Sequence, residues 1–157
     1  MSAGYSVAHS SRASTRISLG VLPDLLGYHL RRAQVAVFQN FAEVIGTSDL
    51  TPGQFGVLVV IDANPGLSQT QLGNTLGMDR STVVAMIDRL EHRELVLRQA
   101  SPFDRRAHAL HLSAHGKAAL GRLLASVRVH ERAITRGLSA SEQTTLIQLL
   151  ARVARAP

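Results

Sequence analysis

The sequence predicts a mainly α-helical fold with one small β-hairpin, and three observations carry that expectation. Apolar residues recur at three- and four-residue spacing along most of the 157 residues, the period of a helix with one buried face. Thr51 and Gln54, Ser68 and Gln71, and Ser139 and Glu142 each stand three apart, the spacing at which two side chains satisfy orphan backbone donors at a helix start. Period-two alternation shows at one place, Leu110 and Leu112 after a charged turn, as a hairpin strand requires.

Residues 1–20 are rich in Ser, Ala and Arg and contain no acid. That composition predicts a flexible N-terminal arm, with an organelle transit peptide as the alternative. A single domain is expected over 21–157. Its first element is a long helix over about 22–46, with a stripe at Leu22, Leu26, Leu30, Ala33, Val37, Phe41 and Val44. Pro23 sits near the start and Gly46 just past the end, where each residue is tolerated best. Thr51 then opens a helix traced by Phe55, Leu58, Val59 and Asp62 and closed by the Asn64, Pro65, Gly66 turn.

Ser68 opens a short helix with Leu72 and Leu76 on its apolar face, and Gly77 supplies the turn. Asp79 caps a second helix in which Val83, Met86, Ile87 and Leu90 are buried while Arg80, Ser81, Thr82 and Arg89 are left for solvent or a ligand. Helix, glycine turn and helix make a helix-turn-helix. Leu95, Val96 and Leu97 lead through Arg98 to a tip of Ser101, Pro102, Phe103, Asp104, Arg105 and Arg106, and residues 107–112 return. The product is a wing with a basic tip. Ser113 caps a second long helix, with a stripe at Leu120, Leu124, Val127, Glu131 and Ile134 and an end at Gly137. Ser139 opens the last helix, whose face is Leu146, Leu149, Leu150 and Val153.

In these residues the chain resembles the MarR family of winged-helix transcription regulators. The family's wing pattern, Asp-x-Arg, an alternating strand, Ser or Thr, and a Gly opening the next helix, stands here as Asp104, Arg106, Leu110, Leu112, Ser113 and Gly116. The segment DRSTVVAMIDRLEHRELV, residues 79–96, is similar to the family's recognition helix running into the first wing strand. The resemblance covers roughly residues 22–155. It implies a winged helix-turn-helix DNA-binding lobe at about 51–113 and a helical dimerisation region formed by the N- and C-terminal helices, about 22–46 and 114–155. A monomer whose terminal helices only cover the core is the alternative.

Composition is compatible with this. Seventeen Lys and Arg against eleven Asp and Glu leave a formal charge of +6, which favours a polyanionic partner. All the basic residues but Lys117 are arginine, a choice that suits bidentate contacts to guanine and phosphate and follows equally from a GC-rich genome. With no cysteine, disulfides, thiolate metal sites and thiol nucleophiles are excluded, and with them the family's thiol-based peroxide sensors. No apolar run approaches the ~20 residues of a membrane helix, so a soluble, cytoplasmic protein is expected.

The expected DNA contacts are Ser68 and Gln69 on the first helix of the pair, Arg80, Ser81, Thr82 and Arg89 on the recognition helix, and Arg105 and Arg106 on the wing. Recognition helices contact bases with their N-terminal residues, and a dimer reads a near-palindrome with half-sites ~34 Å apart. Helix-start hydrogen bonding without a DNA role is the plainer reading of Ser81 and Thr82. His108, His111 and His115 are close in sequence, but the first two face opposite sides of a strand and the third belongs to the next helix, so no metal site is expected. Phosphate loops, nucleophile elbows and His-Glu-x-x-His pairs are absent from the sequence. No cofactor and no enzymatic activity are expected.

The family implies an effector as well, a small aromatic carboxylate or its coenzyme A thioester. Tyr28, His29, Arg32, Phe38 and Phe55 are its expected contacts, since such a cleft needs an apolar wall and a cation. Solvated arginines and core aromatics are the alternative. The functional expectation is a homodimeric, ligand-released repressor; a non-specific architectural DNA binder without effector is the competing class.

Overall fold

A computed structural model describes residues 17–46, 50–100 and 108–155. The chain falls into two compact units, Met1–Gln34 and Val35–Pro157, and helix α1, Leu26–Ile45, runs through the division. In the first unit Leu22–Asp24 form a separate 3₁₀ turn, and Leu25 is extended at φ −100° and ψ 123°. Pro23 therefore opens that turn, and the long helix begins four residues later than Leu22. The His29 Nε2–H donates to the Pro23 carbonyl at 2.7 Å, which ties the turn to α1.

In the second unit α1 ends at Ile45, with Gly46 at φ +56°. Helix α2, Pro52–Ala63, and helix α3, Gln69–Leu76, both start on complete capping boxes. The α2 face that turns inward is Gln54, Val57, Leu58 and Ile61, about one residue round from the expected stripe; Asp62 is exposed. Gly77 ends α3 in the left-handed region at φ +64°, a conformation that costs a residue with a Cβ ~1–2 kcal/mol. Helix α4, Arg80–His92, then buries Val83, Ile87 and Leu90. It crosses so close to α3 that a Cβ on Gly73 would lie 3.0 Å from the Met78 carbonyl and 3.2 Å from Val83.

Strand β1, Val96–Ala100, pairs antiparallel with β2, His108–Leu112, in the register Val96 with Leu112 and Arg98 with Leu110. The other edge of β2 bonds the turn before α3: the Gly66 N–H donates to the Leu110 carbonyl at 2.8 Å, and the Leu110 N–H to the Leu67 carbonyl at 2.9 Å. The base of the hairpin is thereby fixed to the helix-turn-helix. The expected tip, Ser101 to Arg106, lies outside the described residues, as does the arm up to residue 16.

Helix α5, Ala114–Ile134, is capped by Ser113 and buries Gly116, Ala119, Leu120, Leu123 and His130. The expected stripe shares only Leu120 with that face; Leu124 and Glu131 are exposed, and the helix stops at Ile134 with Thr135 as its cap, before Gly137. His130 is 3% exposed, bonded through Nδ1 to the Asn40 Oδ1 at 2.8 Å and edge-on to Phe41 at 5.3 Å. Helix α6, Ala140–Val153, buries none of its residues. The core lies among α2, α3, α4, the hairpin base and the first half of α5, with Leu58, Ile61, Leu72, Ile87, Leu90 and Leu110 fully enclosed, each worth ~1.5–3 kcal/mol over exposure.

Candidate nucleic-acid interface

Burial of Val83, Ile87 and Leu90 turns the opposite face of α4 outward, and there Arg80, Ser81, Val84, Ala85 and Asp88 line one shallow depression. Arg89 lies at its side, lining a second depression with Gln54, Asp88, His92 and Arg93. Sequence reasoning missed Val84, which is 37% exposed, and Ala85. Both are apolar residues on an outward helical face, and that mismatch between residue type and position was the available signal. Small apolar groups in this setting suit the thymine methyl in a major groove.

The start of α4 is held by one carboxylate. Asp79 accepts from the Ser81 hydroxyl at 2.5 Å and the Thr82 backbone N–H at 2.9 Å on Oδ1, and from the Thr82 hydroxyl at 2.7 Å on Oδ2. These bonds, the Ser81 hydroxyl's first and then those of Thr82, hold the Asp79 carboxyl far below the usual carboxylate range. It is therefore ionised at neutral pH and can only accept.

Ser68 is spent on its cap. Its hydroxyl donates to the Gln71 Oε1 at 3.0 Å and accepts from the Gln71 backbone N–H at 3.2 Å. Gln69 follows it, half-buried, as the first residue of α3. Arg105 and Arg106 lie outside the described residues.

The hairpin is clamped to α4 by Arg98. From β1 its Nη2 pairs with Asp88 at 2.5 Å and its Nη1 with Glu91, both on α4. Burial works against the charge, and the bonds to Asp88 and the field of Glu91 outweigh it, raising the pKa. The guanidinium is fixed, so β1 cannot tilt without breaking two ion pairs.

A separate cleft of about 400 Å³ opens between the end of α1, the α4–β1 junction and α5, lined by Ile45, Leu50, Leu95, Ala119 and Leu123 with Arg93, His115, Arg122 and Ser126. An apolar floor under two guanidinium groups and an imidazole suits an amphiphilic anion. Neither Phe38 nor Phe55 lines it. Phe38 is exposed; Phe55 packs beside the core and lies 6.2 Å from Phe41. In the first unit Arg32 lies over the Tyr28 ring at 5.6 Å, and Tyr28 meets His29 edge-on at 5.4 Å. Among the described residues no helix is long and apolar enough to cross a membrane.

A profile described as the MarR family matches residues 48–107. A protein of Thauera aromatica, assigned as the transcriptional regulatory protein for the hcr operon, is 42% identical over 137 residues, covering 87% of this chain and 82% of its own. The transcriptional repressor CouR bound to a 23-mer DNA duplex superposes with a TM-score of 0.84 at 44% identity, over 90% of this chain and 100% of that one. CouR bound to p-coumaroyl-CoA gives 0.83 at 41% identity, with the same shares.

Proposed function

The chain belongs to the MarR family of DNA-binding transcription regulators, non-enzymatic proteins, and on that premise we propose a cytoplasmic, homodimeric, sequence-specific repressor that an aromatic carboxylate or its coenzyme A thioester releases from DNA. The observation that carries the reading is the outward face of α4, with Arg80, Ser81 and Thr82 at its start and the wing clamped beside it by Arg98. In operation α4 enters the major groove and Arg105 and Arg106 at the wing tip reach the neighbouring backbone or groove. Arg89 supplies phosphate attraction at the side, and Gln69 a contact from α3. Ser68 contributes through its backbone position, its hydroxyl being engaged.

Dimerisation is supported by the exposed apolar side chains of α6, Ile147 at 68% among them, and of the N-terminal segment, Leu22, Leu25 and Leu26. Water-facing leucines in such number fit a two-fold interface. The two copies of α4 would then address two half-sites.

The effector class is supported by the similarity to CouR, whose structure holds p-coumaroyl-CoA, and by the chemistry of the cleft. Arg93, His115 and Arg122 suit carboxylate or phosphate, and the floor of Ile45, Leu50 and Leu95 an aromatic ring. Tyr28, His29 and Arg32 form a second set of groups of that character, one that a partner copy could supply. Release requires a differential affinity of about 5.5 kcal/mol between states for a 1:99 to 99:1 reversal.

The test is a duplex selected from random DNA by the purified chain, then challenged with p-coumarate, benzoate and their CoA thioesters. We expect a near-palindrome, its release by at least one compound, and blunted release in Arg122→Ala or Arg32→Ala. Binding that is salt-dependent but indifferent to sequence would replace the repressor with an architectural protein.

A further inference from the structure

Among the described residues Glu94 is the one residue other than glycine with a positive φ, at +57°. It closes α4 in a left-handed cap: its N–H donates to the Glu91 carbonyl at 2.8 Å and the Leu95 N–H to the Leu90 carbonyl at 2.9 Å. Glycine, or less often asparagine, holds such a place, because a Cβ there crowds the following carbonyl. The charge is adverse as well, since a helix C-terminus favours cations, and the exposed Glu94 carboxylate forms no ion pair among the described residues. The packing gives no reason for glutamate here, and backbone strain of this kind gathers where a structure has to change state.

Four parts of the molecule meet at this residue. It follows α4 and precedes β1. Its carbonyl accepts the Ser113 hydroxyl at 2.5 Å and the Leu95 carbonyl accepts the Ser113 N–H at 3.1 Å, so the start of α5 is pinned across it. Its two neighbours, Arg93 and Leu95, both line the cleft of about 400 Å³, together with His115, Arg122 and Leu123 of α5. A molecule in that cleft touches the chain on both sides of the strained residue. Displacing either neighbour turns φ or ψ at Glu94, the soft dihedrals between them, and a negative φ there releases the strain.

We propose that Glu94 is a positioning residue for effector release. It is held left-handed while α4 and the hairpin are aligned for DNA, it turns to an ordinary backbone conformation when the cleft fills, and the strain given up lowers the effector concentration that release requires. This rests on the reading of the cleft as the effector site.

Three substitutions separate backbone from charge. Glu94→Gln removes the charge and keeps the strain, Glu94→Asn removes the charge and part of the strain, and Glu94→Gly removes both. Each is compared with the wild type by melting and by titrating a duplex selected from random DNA with whichever of p-coumarate, benzoate and their CoA thioesters releases the wild type. In Glu94→Gly the concentration for half-release should rise about tenfold, equivalent to ~1.4 kcal/mol. It should rise less in Glu94→Asn and stay within about twofold of wild type in Glu94→Gln, with melting temperatures in the same order. A higher melting temperature in Glu94→Gly with unchanged half-release would make Glu94 a strained cap and nothing more. An equal rise in Glu94→Gln would assign the effect to charge. Either result overturns the proposal and leaves the effector reading standing, whereas a wild-type chain that none of the compounds releases overturns both.

Discussion

Gly116 is the position at which the smallest possible addition should do the most damage. A Cβ built there lies 2.0 Å from the Leu95 carbonyl oxygen, 2.9 Å from its carbon and 3.2 Å from its Cα. Ordinary carbon–oxygen contact needs ~3.3 Å, so Gly116→Ala must open the gap by ~1.3 Å against backbone. The same junction is closed by the Ser113 N–H donating to the Leu95 carbonyl at 3.1 Å and the Ser113 hydroxyl donating to the Glu94 carbonyl at 2.5 Å. Overpacking costs ~1–3 kcal/mol. Loss of two hydrogen bonds adds ~1–3 kcal/mol, and the better helix propensity of alanine returns at most ~1 kcal/mol. A net loss of ~3 kcal/mol should lower the melting temperature by roughly 6–12 °C in a chain of this size. Circular-dichroism melting of the purified wild type and variant measures it. A shift below 2 °C, with unchanged DNA affinity, would mean that α5 slides off the hairpin base at little cost and that this junction does not position the wing.

Three further outcomes are expected. Arg98→Ala should cost ~1–2 kcal/mol of stability after allowance for the exposure of its partners and weaken operator binding; Arg98→Lys, which has no planar fork, should restore only part of the affinity, and full affinity in Arg98→Ala would free the wing from the clamp. Leu150→Asp places an unpaired carboxylate in the proposed interface, several kcal/mol when kept from water, so sedimentation should show monomers and DNA affinity should fall; a variant that stays dimeric would refute the use of α6. Arg106→Ala should lose ~1–3 kcal/mol of operator affinity with no change in melting, and titration showing equal affinity would remove the wing tip from the interface.

The starts of α2, α3, α4, α5 and α6 were legible in the sequence because a cap is a local event: Thr51, Ser68, Asp79, Ser113 and Ser139 each act within three residues. Helix faces were less so. On α5 a ladder of fours from Leu120 selects Leu124, whereas the core takes Leu123 and Gly116, and nothing local distinguishes adjacent leucines. The start of α1 was misplaced because Leu25 adopts an extended backbone that Pro23 alone does not announce. The cleft could not be read at all, since Arg93, His115 and Arg122 meet only when the α4–β1 junction is laid against α5. Asp79 was visible as a cap, yet the direction of the protons on Ser81 and Thr82 needed coordinates.

The helix starts differ in what a proton can do to them. Gln54 and Gln71 complete the boxes of α2 and α3 with amides that have nothing to titrate, and at α4 the Ser81 and Thr82 bonds hold the Asp79 carboxyl below the usual carboxylate range. At α6 the same place is held by Glu142, whose carboxyl is lowered from its ordinary 4.5 by the Ser139 hydroxyl first and the Ser139 backbone N–H second. A depressed carboxyl stabilises the folded chain above its ordinary value and loses that effect as pH falls through the lowered one. Acid should therefore quicken hydrogen exchange in the first turn of α6 while α2 and α3 keep their protection. Fraying there would weaken the end of the molecule proposed to hold two copies together, through a helix start that a proton can reach.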